Sequence, residues 1–311
     1  MMQSIEINNI KKPISKLVMG TDYFTPDIMD KVTDVLDNFI EIGGNTIDTA
    51  YIYAGGKSEQ AIGIWLEENK KRNDVVLLTK GGHPNQSGPR VNKQAIDEEL
   101  KISFERLRTN YVELYALHRD DPNVHVGEIL EILNEHVEAG RIGAFGGSNW
   151  TTARLQEANN YAEKNGLVGF SFSSPNLSLA KAQEPYWTDC VSVDDETLAW
   201  HEKNKLPVFS WSSQARGFFT GRFTPEDRSN EDLVRVFYND DNWERYRRAE
   251  QLAKEMGVET IQISLAYVLN QPFQTTAIIG PQNQNEMVSC RDAAKITLSE
   301  DQMKWLDLRI K

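Results

Sequence analysis

The chain has 311 residues, 40% of them hydrophobic and 26% charged, and a formal net charge of −12, a balance that allows a large core and leaves no low-complexity or charge-block tail. The negative charge repels phosphate backbones and anionic lipid, which argues against nucleic acid and membrane as partners of the general surface. Two cysteines, Cys190 and Cys290, are too few for a disulfide framework, Met1 to Lys12 lacks the apolar core of a secretory signal, and no apolar run approaches the ~20 residues of a membrane span. The expected location is the cytoplasm, where the Asn149-Trp-Thr151 and Asn176-Leu-Ser178 sequons carry no meaning.

Residues 4–16 alternate loosely, with Ile5, Ile7, Ile10 and Ile14 separated by polar residues, and predict a small hairpin ahead of the main fold. Leu17-Val-Met-Gly20 predicts a first buried strand. Thr25-Pro26 opens a helix with proline in its first turn; Ile28, Val32, Val35, Leu36, Phe39 and Ile40 recur at helical spacing before Gly43-Gly44 stops it. The strand-then-helix unit then repeats. Strand 45–48 precedes a helix from Ser58 with Ala61, Ile62, Trp65 and Leu66 inward. Strand 75–80 precedes a helix over 92–107 with Ala95, Ile96, Leu100, Phe104 and Leu107 inward. Strand 111–118 leads to a helix ending near Gly140, strand 142–146 to one opened by Thr151, and strand 168–173 to one near 194–204. Strand 207–211 leads to helices near 243–256 and 259–269, and 276–279 is the last strand. Leu298 to Leu308 predicts a terminal helix capped by Ser299, with Met303, Trp305 and Leu306 packed on the body of the protein.

Eight such units in this length predict an α/β fold, a closed (β/α)8 TIM barrel covering residues 1–311 as a single domain, with an N-terminal hairpin and an extra C-terminal helix. The long connections at about 175–193 and 217–243 carry Tyr186, Trp187, Phe218, Phe219, Phe237 and Tyr238. Ordered loops of that length are usually functional, and these belong on the face that carries Asp48.

Asp48, Tyr53, Lys80 and His118 stand at or just after three successive strand ends, and in a barrel those ends share one mouth. A free tyrosine, with a pKa near ~10, is a poor proton donor at neutral pH. The ammonium of Lys80 is expected to lower that value, Asp48 to keep Lys80 charged, and His118 to orient a substrate oxygen. General acid catalysis of this kind supplies roughly 10²–10⁴-fold, so the electrons or nucleophile must come from elsewhere. A tyrosine after a strand is more often packing than chemistry; its three partners in register favour chemistry. His83, His125, His136 and His201 lack zinc-site spacing, and no metal site is expected. Gly56-Lys57-Ser58 has Tyr51 where a phosphate-binding loop needs glycine, and no Gly-x-Gly-x-x-Gly run follows a strand. Cys190 has no basic neighbour in sequence to activate it and reads as a structural thiol. Trp187 and Phe219 are candidates for a pocket wall.

The segments Ile47-Asp-Thr-Ala-Tyr-Ile-Tyr53-Ala-Gly-Gly-Lys-Ser-Glu59, Leu77-Leu-Thr-Lys80, Leu114-Tyr-Ala-Leu-His118-Arg-Asp, Gly146-Gly-Ser148-Asn149 and Phe209-Ser-Trp211 resemble, in order and at matching intervals, the aldo-keto reductase superfamily. The resemblance covers nearly the whole chain. It implies a (β/α)8 barrel that binds an extended nicotinamide cofactor without a Rossmann fold and exchanges hydride with an aldehyde, ketone or sugar-like carbonyl, or with the alcohol in reverse. Carried over by position, it implies Tyr53 as general acid, Lys80 and Asp48 as its tuning pair, and His118 as the group that orients the carbonyl. It also implies Ser148 and Asn149 on the nicotinamide carboxamide, Trp211 stacked on the ring, and Gly20 and Thr21 beside it. Ser212, Gln214 and Arg216 fall in the loop along the pyrophosphate.

Two places depart from the family pattern. Ser174 stands where many members carry a carboxamide-binding glutamine. After the last strand, Gly280, Gln282 and Glu286 lie in a segment that usually brings Arg or Lys to the 2′-phosphate of NADP; Gln282 carries no charge, Glu286 would repel a phosphate that it faced, and Arg291 is near enough in sequence to compensate. The resemblance favours NADP(H), and the residues leave NAD(H) open. Two other classes fit parts of the pattern: a nicotinamide-binding interaction or regulatory subunit with slow turnover, which the resemblance also includes, and a barrel hydrolase that uses Asp48 or His118 on a metal. No apolar heptad marks an oligomer interface.

Overall fold

Apolar runs of strand length alternate with helical stripes along the chain, and they fold as eight parallel strands wrapped by helices. The computed structural model describes residues 2–311. An antiparallel hairpin, β1 (Ser4–Ile5) and β2 (Ile14–Ser15), pairs Ser4 with Ser15 and Ile5 with Ile14. The barrel runs through β3 (Leu17–Gly20), β4 (Thr46–Asp48), β5 (Val76–Gly81), β6 (Val112–Leu117), β7 (Ile142–Ser148), β8 (Phe172–Ser174), β9 (Val208–Ser210) and β10 (Thr275–Ile279), and β10 closes on β3. Around it lie α1 (Met29–Glu41), α2 (Lys57–Asn69), α3 (Lys93–Leu107), α4 (Val126–Glu138), α5 (Thr152–Asn165), α6 (Asp195–Asn204), α7 (Glu231–Phe237), α8 (Asp240–Met256), α9 (Thr260–Leu269), α10 (Gln284–Ala293) and α11 (Glu300–Leu306).

Side chains alternate across each strand, and this splits the core in two. Val18, Val76, Leu78, Leu114, Ala116, Ala144, Phe172 and Phe209 fill the barrel, where Ile5, Ile7 and Ile14 of the hairpin join them as a plug. Their neighbours Leu17, Met19, Ile47, Leu77, Tyr115 and Leu117 face the helices. None of the described helices is long and apolar enough to cross a membrane.

Differences from the sequence reading have local causes. The strand expected from Val168 begins only at Phe172, because asparagine side chains take the backbone groups that a ladder would use. Asn134 accepts from Val168 N (2.9 Å) and donates to its carbonyl (3.0 Å), and Asn159 does the same at Phe170 (2.7 and 3.2 Å). The segment 217–243 holds a further helix, α7, capped by Asn230 and burying Leu233, Val236 and Phe237. Another unanticipated helix, α10, follows the last strand behind the Asn283 cap. Ile28 is exposed because a 3-10 turn over Pro26–Ile28 shifts the phase before α1 begins. The terminal helix α11 starts at a Ser299–Gln302 capping box and buries Leu306.

One buried carboxylate ties the hairpin to the barrel. Glu113 on β6 accepts from Lys12 Nζ (2.9 Å), from Arg72 Nη1 and Nη2 (3.1 and 3.0 Å) and from Leu77 N (3.0 Å). Burial alone would raise its pKa, but these donors hold it below the ordinary carboxylate value. A depressed folded-state pKa stabilises the protein above the unfolded value, and this is lost as pH falls through the folded one. Glu113→Gln is therefore expected to cost about 2–3 kcal/mol at neutral pH. In urea melts the gap to the parent protein should close below about pH 4; a gap that persists in acid would contradict this reading.

Candidate active site

Parallel pairing sets Gly20 beside Asp48 and Asp48 beside Leu78, while Lys80 stands beside Ala116, two residues short of His118. The carboxyl ends of β3 to β6 thus bring the acid, the amine and the imidazole to one mouth. Lys80 Nζ lies 2.6 Å from Asp48 Oδ1 and donates to Tyr53 Oη (3.0 Å) and to the Thr49 carbonyl (3.0 Å). Tyr53 and His118 meet edge to face, with ring centroids 5.6 Å apart. Asp48, Lys80 and His118 are all buried.

Hydroxyls and one guanidinium fix these groups. Thr21 donates to the Asp48 carbonyl (2.8 Å) and shares hydrogen bonds with Ser58, which also meets Thr49 (2.9 Å). Arg106 donates to the Tyr51 carbonyl (2.8 Å), stands over the Tyr51 ring, and pairs with buried Glu59, holding the loop that carries Tyr53. Ser58, Glu59 and Arg106 escaped the sequence reading because their roles come from contacts made across the fold.

The electrostatics correct one expectation. Lys80 does lower the Tyr53 pKa, but burial outweighs it and pushes the phenol up to about 12, so Tyr53 keeps its proton. Burial also works against the Lys80 ammonium, yet Asp48 and Tyr53 together hold its pKa above the ordinary lysine value. His118 is driven well below the ordinary histidine value by burial and by the charges of Lys80 and Arg119, so its ring is neutral. His118 Nδ1 is buried without a hydrogen-bond partner.

His83, which shows no site spacing in the sequence, is carried by the loop after β5 to within 5.0 Å of the His118 ring. Gly82, at φ +72, makes the turn, and its N–H donates to the buried carboxylate of Glu99 (2.7 Å). Cys190 is a buried thiol, in keeping with a structural role, although it does have a basic neighbour. Arg119 Nη2 lies 3.3 Å from its sulfur, but burial still raises the thiol pKa. No cluster of metal-ligating residues exists among the described residues.

The residues assigned to a nicotinamide line the next strand ends. Ser148 Oγ donates to the Ser174 carbonyl (3.2 Å), and Asn149, at φ 60, makes long contacts to Ser148 Oγ (3.2 Å) and the His118 carbonyl (3.4 Å). Ser174 Oγ and Trp211 Nε1 are buried without partners. Such orphaned groups at a barrel mouth fit a polar ligand. Beyond Trp211, Ser212, Ala215, Arg216 and Gly217 all have positive φ, and the Ala215 and Gly217 N–H groups close turns onto the Ser212 and Gln214 carbonyls (2.9 and 3.0 Å). The Gln214 side chain turns instead to Cys290 Sγ (3.8 Å). Arg216 stands over the rings of Tyr186 (4.6 Å) and Trp187 (5.3 Å), and Trp187 tilts against Trp211 at 5.7 Å.

At the far end, Arg291 does not serve the segment after β10, because its guanidinium pairs with Asp292 next to it on α10 (3.0 Å). The cation there is Lys31 of α1, whose Nζ donates to Gln282 Oε1 (2.8 Å). Glu286 is engaged by Gln282 N (2.8 Å). Lys31 lies 251 residues from Gln282 in sequence, and only the closure of β10 on β3 brings α1 and α10 together. A cavity of about 880 Å³ on the outer surface, lined by Lys93, Asp97, Lys101, Phe104, His136 and Arg141 of the α3–α4 region, includes none of these residues.

Residues 16–309 match the model of the aldo/keto reductase family. Among its relatives, the chain is 29% identical over 295 residues to the aldo-keto reductase YhdN of Bacillus subtilis, covering 91% of this chain and 83% of that one. It is 27% identical over 307 residues to the uncharacterized oxidoreductase YrpG of the same organism, covering 94% and 91%. The solved glycerol dehydrogenase AKR11B4 of Gluconobacter oxydans superposes with a TM-score of 0.78 over 98% of this chain and 94% of that one; at 23% identity this likeness concerns the fold. The closed barrel and its terminal helices agree with the match over residues 16–309: the chain belongs to the aldo/keto reductase family, oxidoreductases that exchange hydride between a nicotinamide cofactor and a carbonyl or alcohol.

Proposed function

We propose that residues 1–311 act as one barrel domain that reduces an aldehyde or ketone, or oxidises the alcohol, with Tyr53 as the proton-transferring group. The observation that carries this reading is Lys80 Nζ held between Asp48 (2.6 Å) and Tyr53 Oη (3.0 Å). The bound nicotinamide supplies or accepts the hydride. Tyr53, whose phenol keeps its proton, donates it to the substrate oxygen, and Lys80 stabilises the phenolate left behind. Asp48 keeps Lys80 charged in a site where burial alone would strip it. His118, neutral, offers a hydrogen bond to the same oxygen and so aligns the carbonyl. Trp211, Ser148, Asn149 and Ser174 hold the nicotinamide, with Gly20 and Thr21 beside it, and the backbone from Ser212 to Gly217 faces the pyrophosphate. Arg216 must leave the Tyr186 and Trp187 rings to join it.

NADP(H) is the favoured cofactor, with Lys31 supplying at the Gly280–Glu286 segment the charge that Gln282 lacks. Lys31→Glu is expected to weaken NADPH about tenfold, the worth of a charge-assisted hydrogen bond, and to leave NADH nearly unchanged. Fluorescence titration with each cofactor checks this. Equal effects on both would remove Lys31 from the phosphate end, and a parent protein that prefers NADH would overturn the NADP(H) assignment.

A further inference from the structure

Arg119 follows His118 at the mouth and is buried, only 8% exposed. Its guanidinium donates to the His118 carbonyl (2.8 Å) and to Cys190 Sγ (3.3 Å). No carboxylate lies within ion-pair distance of it among the described residues. Asp120, next in the chain, is taken by Arg154 (3.0 Å), and Asp189, beside Cys190, does not reach it. Lys80, the other buried cation of this mouth, has Asp48 at 2.6 Å. The Cys190 thiol stays protonated, and the His118 ring is neutral. His83 Nδ1 lies 2.8 Å from the Pro84 carbonyl, which only accepts, so Nδ1 carries a proton; burial lowers the ring's pKa below the ordinary histidine value, so the second nitrogen is unprotonated at neutral pH.

A buried charge without a counter-charge is unfavourable, and proteins ordinarily pair it. Arg119 has five N–H donors in a planar fork that matches a carboxylate, and a backbone oxygen and a thiol occupy only part of that fork. The bland alternative is a structural strut, in which Arg119 merely ties the loop at Cys190 to the end of β6. A neutral amide could do that without the cost of burying a charge.

We propose that Arg119 binds the carboxylate of the substrate, so that this mouth takes an oxo acid or aldehyde acid in preference to a neutral carbonyl compound. The proposal rests on the reductase reading above and narrows its substrate class. In the complex the carboxylate supplies the missing counter-charge while its carbonyl lies between Tyr53 and His118. The neutral rings of His83 and His118 add no competing charge.

The test compares pyruvate and succinate semialdehyde with their methyl esters, which keep the carbonyl and lose the charge. The parent protein should favour at least one acid over its ester, and Arg119→Gln should lower that kcat/KM ratio at least ~10-fold, the scale of a charge-assisted pair. Arg119→Lys, which keeps the charge, should retain most of the preference. If Arg119→Gln slows acid and ester alike, or if the parent protein favours both esters, Arg119 is a strut and the proposal fails. A second measurement is independent of turnover: oxalate is titrated into the NADP⁺-bound protein by calorimetry. Binding that weakens at least ~10-fold in Arg119→Gln supports the anion site, even where neither acid is reduced and the reductase reading itself fails. Binding that is absent or equal in the two proteins overturns it.

Discussion

Replacing Tyr53 by phenylalanine is expected to lower kcat by about 10²–10⁴-fold, the range of a general acid, with NADPH affinity unchanged within a factor of ~2. The substitution keeps the ring and its edge contact with His118 and removes only Oη. Lys80 loses one acceptor but keeps Asp48 and the Thr49 carbonyl, so the site should stay assembled. Steady-state rates with a reactive aldehyde check this, and comparable rates in the two proteins would remove Tyr53 from the chemistry. The pH profile carries an independent sign. Burial holds the Tyr53 phenol above the ordinary tyrosine value, so the acid form is present around neutral pH and kcat/KM for reduction should not fall as pH rises through neutrality. A fall near neutral pH would point to another proton donor.

Lys80→Met should have the larger combined effect, on activity and on stability together. Asp48 would keep its burial and lose its counter-ion, and breaking a buried pair in this way costs about 3–5 kcal/mol. The sign of the pH dependence follows. Desolvation already raises the Asp48 pKa with Lys80 present; losing the ammonium that opposes it raises it further, so the folded variant binds a proton more readily than the unfolded chain. Stability is then greatest below the unfolded pKa and declines as pH rises through the folded one. Denaturant melts should show the variant losing stability relative to the parent protein as pH rises from acid to neutral. Adding Asp48→Asn should recover most of the stability and none of the activity, because the double variant has no unpaired charge at position 48 and no ammonium to stabilise the Tyr53 phenolate. A variant as stable as the parent at neutral pH, or one with unchanged activity, would contradict the pairing.

The barrel was legible in the sequence because its strands are short, apolar and separated by helices with clear stripes, and because Asp48, Lys80 and His118 end strands that pair in order. Local competition hid the rest. The start of β8 was misplaced because Val168 and Phe170 look like strand residues, while Asn134 and Asn159, on other elements, satisfy their backbone groups. Helices α7 and α10 begin at Asn230 and Asn283, caps that had a sequence signal but sat in stretches read as loops. Lys31 and Arg119 could not be valued from sequence. What matters for Lys31 is a contact 251 residues away, and for Arg119 the lack of a partner. The Tyr53 pKa depends on how deeply the ring is buried, which spacing alone does not encode.

The measurement that bears most directly on the whole reading is a single experiment in two steps. Purified protein is titrated with NADPH to saturation by fluorescence, and a reactive aldehyde is then added while reduced nicotinamide and alcohol are followed together. The expected result is tight binding, followed by loss of reduced nicotinamide matched one for one by alcohol in the parent protein and by very little in Tyr53→Phe. Tight binding with no oxidation by any of several aldehydes would contradict the account and leave a nicotinamide-binding protein without turnover.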